Sequence, residues 1–386
     1  MKINILTGAF IPLPPAGCGA VERVWHGLAP YFASQGDEVT FYARAHPSQA
    51  SDEIVDGVRY VRRHQFKQTG SRPINILKGF MYAQGILRVL KPADIFICND
   101  FCTGLLSPYV ANKYGKLVLN VQRMPKKFLR GYYEKSACLV AVSEATRNAI
   151  GKINAGLLDK TYVVPNPVYT DVFHPPLSPR NNAGPQTLLY TGRIHPEKGL
   201  HLLVKAFARV HQDFPQLRLK IVGPWRHDQG GGGGEYLQRL SHLASGLPVE
   251  FGEPLNDVKD LAKLLQGCHF YCYPSLAEQG EAFGVAALEA CATGLVPVVS
   301  DLTCFQEFVR DGDNGIVFNH RSEDPIGKLV EALRRVLADP EHLEKMGALA
   351  VETANNFSYA KIAARYMKVF DDLFKNKRAK KMQGQR

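Results

Sequence analysis

Short β-branched or apolar runs alternate with longer amphipathic stretches from one end of the chain to the other, the pattern of repeated strand–helix units built around parallel sheets. The runs at 3–6, 39–42, 95–98, 117–121, 139–142 and 162–164 read as strands of a first sheet. Those at 188–191, 217–222, 249–252, 270–273, 296–300 and 316–318 repeat the rhythm. The expectation is an α/β chain of two Rossmann-like domains with about six strands each. Prolines and asparagines exclude regular structure over residues 165–186. This places a first domain at 1–165, a linker at 166–186 and a second domain at 187–357. A last helix at 358–375 is free to cross back to the first domain, and a basic tail follows at 376–386.

At 386 residues the chain outgrows a single core, as two domains require. No apolar run approaches the ~20 residues that span a bilayer. The opening MKINILTGAFIPLPPAG has one basic residue and reads as a strand and loop rather than a signal peptide. Eight cysteines scattered through strand and helix patterns read as reduced, buried thiols of a cytoplasmic protein. The pairs Cys98/Cys102 and Cys268/Cys272 are spaced more widely than the stronger zinc signature, so no metal is expected. Net charge is +11, but the last twelve residues hold six basic groups and no acid, leaving +5 for the remainder. That tail is a separate electrostatic feature, either solvated or drawn to anionic lipid headgroups. No nucleic-acid-binding module accompanies the charge, so a nucleic-acid partner is not expected.

Three segments carry candidate chemistry. PPAGCGAVER follows the first strand and opens a helix; Gly17 and Gly19 let backbone N–H groups face an anion at the positive end of the helix dipole, or simply make a tight turn. TGRIHPEKG sets Arg193 just past an apolar strand and Lys198 at a helix start. Two cations there can clamp a diphosphate and neutralise charge as a bond breaks, or they stand solvated beside Glu197. In PSLAEQGEAFGVAALEACATG, Glu281 precedes Phe283 and Gly284, and Glu289 lies eight residues on. A helix starting near Phe283 projects both carboxylates from one side, where they can accept the hydroxyl hydrogens of a sugar or ribose. The alternative is that Glu281 compensates the helix dipole and Glu289 is merely exposed.

The stretch Glu281-Ala282-Phe283-Gly284-Val285, continued to Glu289, is similar to the Glu-x7-Glu motif of the retaining glycosyltransferases of family four. GRIHPEKG resembles that family's G-R-x-x-x-x-K-G segment, VSEATRNAI its Ser-Glu-x-Thr helix start, and VRDGDNGIVF its closing turn and strand. The resemblance implies the GT-B architecture, two Rossmann-like domains facing across a cleft. It also implies transfer of a sugar from a nucleotide diphosphate sugar, a UDP-linked hexose, to an acceptor hydroxyl with retention of configuration, in polysaccharide or glycoconjugate synthesis. In this reading Arg193 and Lys198 contact the donor diphosphate, Glu289 the ribose and Glu281 the transferred sugar. Ala282, Phe283, Gly284 and Val285 complete the donor-binding stretch, and Gly17 and Gly19 line the cleft from the first domain. Such enzymes work without a metal, and the nucleotide sugar is a co-substrate rather than a cofactor. The acceptor is a saccharide, a lipid-linked molecule or a small molecule.

The chain departs from the family at three places. Where a histidine commonly follows the fifth strand of the first domain, NVQRMP supplies Gln122, which can hydrogen-bond a donor sugar but cannot titrate near neutrality. PNPVY stiffens the linker, and HDQGGGGGEY reads as a flexible spacer of five glycines. Asp311-Gly312-Asp313 mimics a metal-binding D-x-D but reads as a turn, and Ser322 stands where a calcium loop needs Glu. RMPKKFLRGYYEK reads either as a half-buried amphipathic helix or as a face for lipid headgroups, which would make the protein peripheral at the inner face of a membrane. Three other classes compete: a glycosyl phosphorylase-like enzyme, a dinucleotide oxidoreductase and a non-catalytic nucleotide-sugar-binding protein. The oxidoreductase is disfavoured because the second strand ends in Tyr42, Ala43 and Arg44 rather than an acid.

Overall fold

The computed structural model describes residues 1–14, 19–64, 66–106, 111–180 and 184–383. The chain forms two compact units, the first comprising Met1–Asn166 with the segment from Tyr359 onward, the second Pro167–Ser358.

The first unit runs β1 (Lys2–Leu6), α1 (Ala20–Ser34), β2 (Glu38–Arg44), β3 (Asp52–Val55), β4 (Val58–Arg63), α2 (Arg72–Val89), β5 (Ile95–Cys98), α3 (Phe101–Leu106), α4 (Ala111–Tyr114), β6 (Lys116–Val121), α5 (Arg130–Lys135), β7 (Cys138–Ala141), α6 (Glu144–Ile153) and β8 (Thr161–Val163). Its strands lie in the order β3-β4-β2-β1-β5-β6-β7-β8. All pair in parallel except the β3–β4 hairpin. The central strands β1 and β5 are apolar through most of their length because helices cover both faces of the sheet. The hairpin raises the sheet from the six strands expected to eight. It escapes the hydrophobic pattern because β3 is a charged, largely exposed edge strand and β4 carries three arginines. Asp56 and Gly57, with φ of 51° and 76°, make its two-residue turn, a conformation that Asp-Gly adopts readily.

The second unit runs β9 (Gln186–Thr191), α7 (Leu200–Asp213), β10 (Leu217–Val222), α8 (Gly233–Leu243), β11 (Val249–Gly252), α9 (Val258–Gln266), β12 (Phe270–Tyr273), α10 (Val285–Ala292), β13 (Pro297–Ser300), β14 (Ile316–Phe318), α11 (Pro325–Ala338) and α12 (Pro340–Asn355). Its six parallel strands lie in the order β11-β10-β9-β12-β13-β14. Here the strands read from the hydrophobic pattern and those of the structure coincide almost residue for residue.

Two expected boundaries change. Residues 167–180 do not hang free as a linker: Val168 N–H donates to the Phe357 carbonyl at 2.9 Å, Phe173 is fully buried, and Arg180 donates to the Thr293 carbonyl at 2.7 Å. The apolar residues between the prolines anchor this segment on the second unit; residues 181–183 lie outside the described residues. The last helix, α13 (Tyr359–Gln383), belongs to the first unit. Tyr366 lies 5.0 Å from Trp25 and Phe370 lies 5.9 Å from Phe32, ring centroid to ring centroid, and Asn120 donates to the Tyr366 hydroxyl. The helix continues through Gln383, so most of the basic tail is helical; after Asn376 its residues up to that point are good helix formers without glycine or proline.

The seven described cysteines are buried and unpaired, and burial pushes the Cys138 and Cys291 thiols up to about 12, which makes them poor nucleophiles. Cys18 lies outside the described residues. Among the described residues no His, Cys, Asp or Glu cluster could hold a metal ion, and no helix is long and apolar enough to cross a membrane. Asp311 serves a turn, as expected: its carboxylate accepts from Val317 N–H at 2.8 Å and pairs with Arg335 at 3.1 Å.

Candidate active site

The site in the second unit is assembled where β9 and β12 end. Past β9 the chain turns at Gly192 (φ 146°), where a Cβ would stand 2.8 Å from the Tyr190 hydroxyl. That hydroxyl donates to the Arg193 carbonyl at 2.9 Å, and the Tyr190 ring stacks on Tyr273 with centroids 5.4 Å apart. The backbone is thereby fixed, and the Arg193 side chain, 41% exposed, reaches Glu197 at 2.6 Å and the Gly230 carbonyl at 2.7 Å. The partner Gly230 lies in the five-glycine loop, which is not the flexible spacer its composition suggests. Gly231 N–H donates to Arg226, Gly232 N–H to Ile194 and Gly233 N–H to the Trp225 carbonyl, each at 2.8 Å. A Cβ on Gly231 would lie 2.1 Å from the Trp225 carbonyl carbon. Close backbone packing is what demands glycine there.

Lys198 closes a 3-10 turn at Pro196–Lys198 and is followed by Gly199 at φ 69°, where a Cβ would collide with the Pro274 carbonyl oxygen at 2.1 Å. The glycine seats the start of α7 directly on the loop that follows β12. Lys198 Nζ, almost fully buried, donates to Glu281 Oε2 at 2.6 Å and stands 5.3 Å over the Tyr273 ring. Ser275 Oγ donates to the same carboxylate oxygen at 2.9 Å. Burial pushes the Tyr190 and Tyr273 phenols well above their ordinary range, and the Glu281 charge adds to the shift at both, so these walls stay neutral.

The expected geometry of the carboxylate pair needs correcting. The helix begins at Val285, capped by Gly284, so Glu281 lies in the preceding turn, its N–H donating to the Ala277 carbonyl at 2.9 Å, and only Glu289 is helical. Ala282 and Phe283 are buried, and Phe283 packs 5.4 Å from Phe308 and 6.1 Å from Phe357. A Cβ on Gly284 would meet Phe305 at 2.3 Å. Glu289 is buried rather than exposed, near Tyr271; burial, with the Glu289 charge among the further causes, holds that phenol well above its usual range.

Lys198 and Glu281 are thus in direct contact, and Arg193 joins them through Glu197, whose carbonyl accepts from Leu276 N–H at 2.7 Å. Sequence reasoning missed the brace on the other side of this loop. Arg321 pairs with Glu278 at 2.6 Å and donates to the Asp301 carbonyl at 2.7 Å, while His320 Nε2 meets Glu278 at 2.8 Å. Glu278 stands three residues before Glu281, so the brace fixes the turn that carries it. Ser275 was also missed; no sequence pattern distinguishes a serine whose importance is one hydrogen bond.

The first unit presents a different edge. Gly17 lies outside the described residues, and Gly19 is the residue just before α1. Gln122 follows β6, and its Nε2 is buried with no hydrogen-bond partner among the described residues. Two acids that sequence reasoning passed over stand nearby. A Cβ on Gly8 would lie 3.7 Å from Asp100 Oδ1 and 3.9 Å from Glu22 Oε1, so both carboxyls surround a glycine just past β1. Burial raises both above the ordinary carboxylate range, against hydrogen bonds from Thr103 to Asp100 and the charge of Arg123 near Glu22. The signal for Glu22 was its place in the first turn of the helix that the glycine loop opens.

Two Rossmann-like units, one of them ending in a Lys–Glu pair beside an arginine at the carboxyl edge of its sheet, define a GT-B glycosyltransferase architecture. Residues 178–352 match the family model described as glycosyl transferases group 1, and residues 21–172 match the model described as glycosyltransferase family 4. The chain belongs to this family. Phosphatidyl-myo-inositol mannosyltransferase of Mycobacterium leprae (strain TN) is 30% identical over 255 residues, which are 63% of this chain and 61% of that protein, so the match spans about three fifths of the relative's length. Sucrose-phosphate synthase from Thermosynechococcus elongatus superposes with a TM-score of 0.79 at 19% identity, covering 97% of this chain and 99% of that one. Anabaena HepE in complex with UDP-glucose gives a TM-score of 0.73 at 17% identity, covering 96% and 100%. At these identities the structural likeness is one of fold.

Proposed function

We propose that this chain transfers a hexose from a nucleotide diphosphate sugar, UDP-linked in the first instance, to an acceptor hydroxyl with retention of configuration, in glycoconjugate or polysaccharide synthesis. The observation that carries the reading is the buried Lys198–Glu281 pair with Arg193 at the same sheet edge. A diphosphate set against Lys198 and Arg193 is held by two cations that a leaving group's growing charge would strengthen. In this reading Glu281, oriented by Lys198 and Ser275, accepts from sugar hydroxyls, and Glu289 from ribose hydroxyls. Gln122 offers an amide N–H from the first unit, and Glu22 and Asp100 offer carboxyls to an acceptor hydroxyl. Glu281 is itself held by Lys198 and Ser275, so departure of the diphosphate and delivery of the hydroxyl on one face fits better than double displacement. Anabaena HepE, solved with UDP-glucose, supports testing that donor first.

The test is incubation of the purified chain with UDP- and GDP-hexoses, with and without a chelator. Release of nucleoside diphosphate that is unaffected by chelation, and a product whose anomeric proton coupling matches the donor's, are expected. An inverted product, or no turnover of any nucleotide sugar with a range of hydroxyl acceptors, refutes the proposal.

A further inference from the structure

Helix α2 packs Tyr82, Ala83 and Ile86 against the first sheet, yet its outer side is not polar. Ile74, Leu77 and Met81, spaced three and four apart, form one stripe there and are 48%, 62% and 50% exposed. Helix α3 lies alongside, its Cys102 Sγ seated against Gly79, and its exposed first residue Phe101 stands 6.4 Å from Phe128, which is 70% exposed. With Ile76, six of the eleven exposed large apolar side chains among the described residues fall on these three neighbouring segments. Scattered apolar residues on a surface need no explanation, but a concentration of this kind does.

The charged side chains on these three segments are all basic. Beyond β4, whose Arg59 and Arg62 pair with Asp52 and Glu53, the chain from residue 64 to residue 93 contains no acid and five lysines and arginines, Arg72, Lys78 and Arg88 of α2 among them. From 101 to 133 it again contains no acid and six basic residues, including Arg123, Lys126 and Lys127 beside Phe128. A protein interface is usually depleted in lysine. An apolar stripe flanked by exposed lysines and arginines instead fits the boundary of an anionic bilayer, where the side chains enter the acyl region and the cations meet phosphates.

We infer that this face, formed by α2, the start of α3 and the Lys126–Phe128 turn, docks the protein on an anionic lipid surface. The sequence marked residues 123–135 and the basic tail for lipid; the larger part of this face is α2. Phe101 adjoins Asp100, so docking sets the acidic edge of the first unit close to the headgroups and selects a lipid-linked acceptor. That consequence for the acceptor rests on the transferase reading, whereas the docking itself does not.

Flotation of the full chain with phosphatidylcholine vesicles, and with phosphatidylcholine–phosphatidylglycerol vesicles, tests it without any donor present. The protein is expected to float with the mixed vesicles only and to be released by salt. Lys126→Gln/Lys127→Gln should weaken partitioning about thirty-fold, and Leu77→Glu/Met81→Glu should abolish it with an unchanged melting temperature. Should that pair unfold the chain, Phe128→Ser provides the same reading from a side chain that packs little. Absence of flotation with mixed vesicles, or flotation that survives these changes, overturns the proposal. So does a lipid-free dimer that Leu77→Glu disperses, since the face is then a contact between copies.

Discussion

The carboxyl edges of the two sheets share a geometry and differ in electrostatics. In the second unit Glu281 is buried against Lys198 at 2.6 Å, and Arg193 is held in place by Glu197 and a backbone carbonyl. In the first, Glu22 and Asp100 are buried around Gly8 with their carboxyls raised by desolvation, and the charge of Arg123 offsets only part of that at Glu22. One edge is set up with fixed cations, as a diphosphate requires. The other is set up with weakly acidic carboxyls, which suit hydroxyls and would repel a phosphate once ionised. In the proposed transfer the two edges divide donor and acceptor chemistry without any difference in strand order at the centre of the sheet.

The comparison breaks most readily at the Lys198–Glu281 pair. Lys198→Ala or Glu281→Ala leaves one buried charge uncompensated and should cost about 3–5 kcal/mol in denaturant unfolding. Lys198→Met combined with Glu281→Leu should recover much of that loss while transfer stays abolished, which separates folding from function. Arg193 sits at the rim, so Arg193→Ala should leave stability almost unchanged while the transfer rate falls about 10²–10³-fold; normal turnover would remove Arg193 from the mechanism. Gly231→Ala places a Cβ within 2.1 Å of the Trp225 carbonyl carbon, and a shift of the loop costing about 1–3 kcal/mol is expected. Because Gly230 holds the Arg193 guanidinium, this variant should also lose activity out of proportion to its stability.

How much of this could be read in advance follows the same division. The second unit is motif-dense: its strands are unbroken apolar runs, and Arg193, Lys198, Glu281 and Glu289 lie in short segments of recognisable spacing. What escaped there was the direct Lys198–Glu281 contact, because it joins residues 83 positions apart through the seating of Gly199 on Pro274. The start of α10 was misplaced because Phe283 and Gly284 look like a first helical turn, whereas Gly284 caps the helix. In the first unit the β3–β4 hairpin was hidden by charge, although Asp56-Gly57 was a readable turn signal. Glu22 and Asp100 were invisible as a pair because only strand order brings the ends of β1 and β5 together. Helix α13 could not be assigned to a unit until Tyr366 and Phe370 were seen against α1.

The smallest predicted effect tests the contrast between the edges by its sign. Glu22 has a raised folded-state value, so between the unfolded value of about 4.3 and that higher value the folded chain binds more protons than the unfolded one. Stability therefore falls as pH rises through this window, and Glu22→Gln should melt higher than wild type at neutral pH, the gain vanishing as pH drops below the window. Glu278 in the second unit is lowered by its hydrogen bond from Arg321, against desolvation and with His320 assisting. Its contribution is complete above the unfolded value and is lost as pH falls through the lower folded one. Glu278→Gln should consequently melt lower at neutral pH, by little because the pair is half exposed, and converge with wild type in acid. Melting curves of both variants across that range decide the matter: displacements of the same sign would mean that the two edges do not differ in the way their carboxyls indicate.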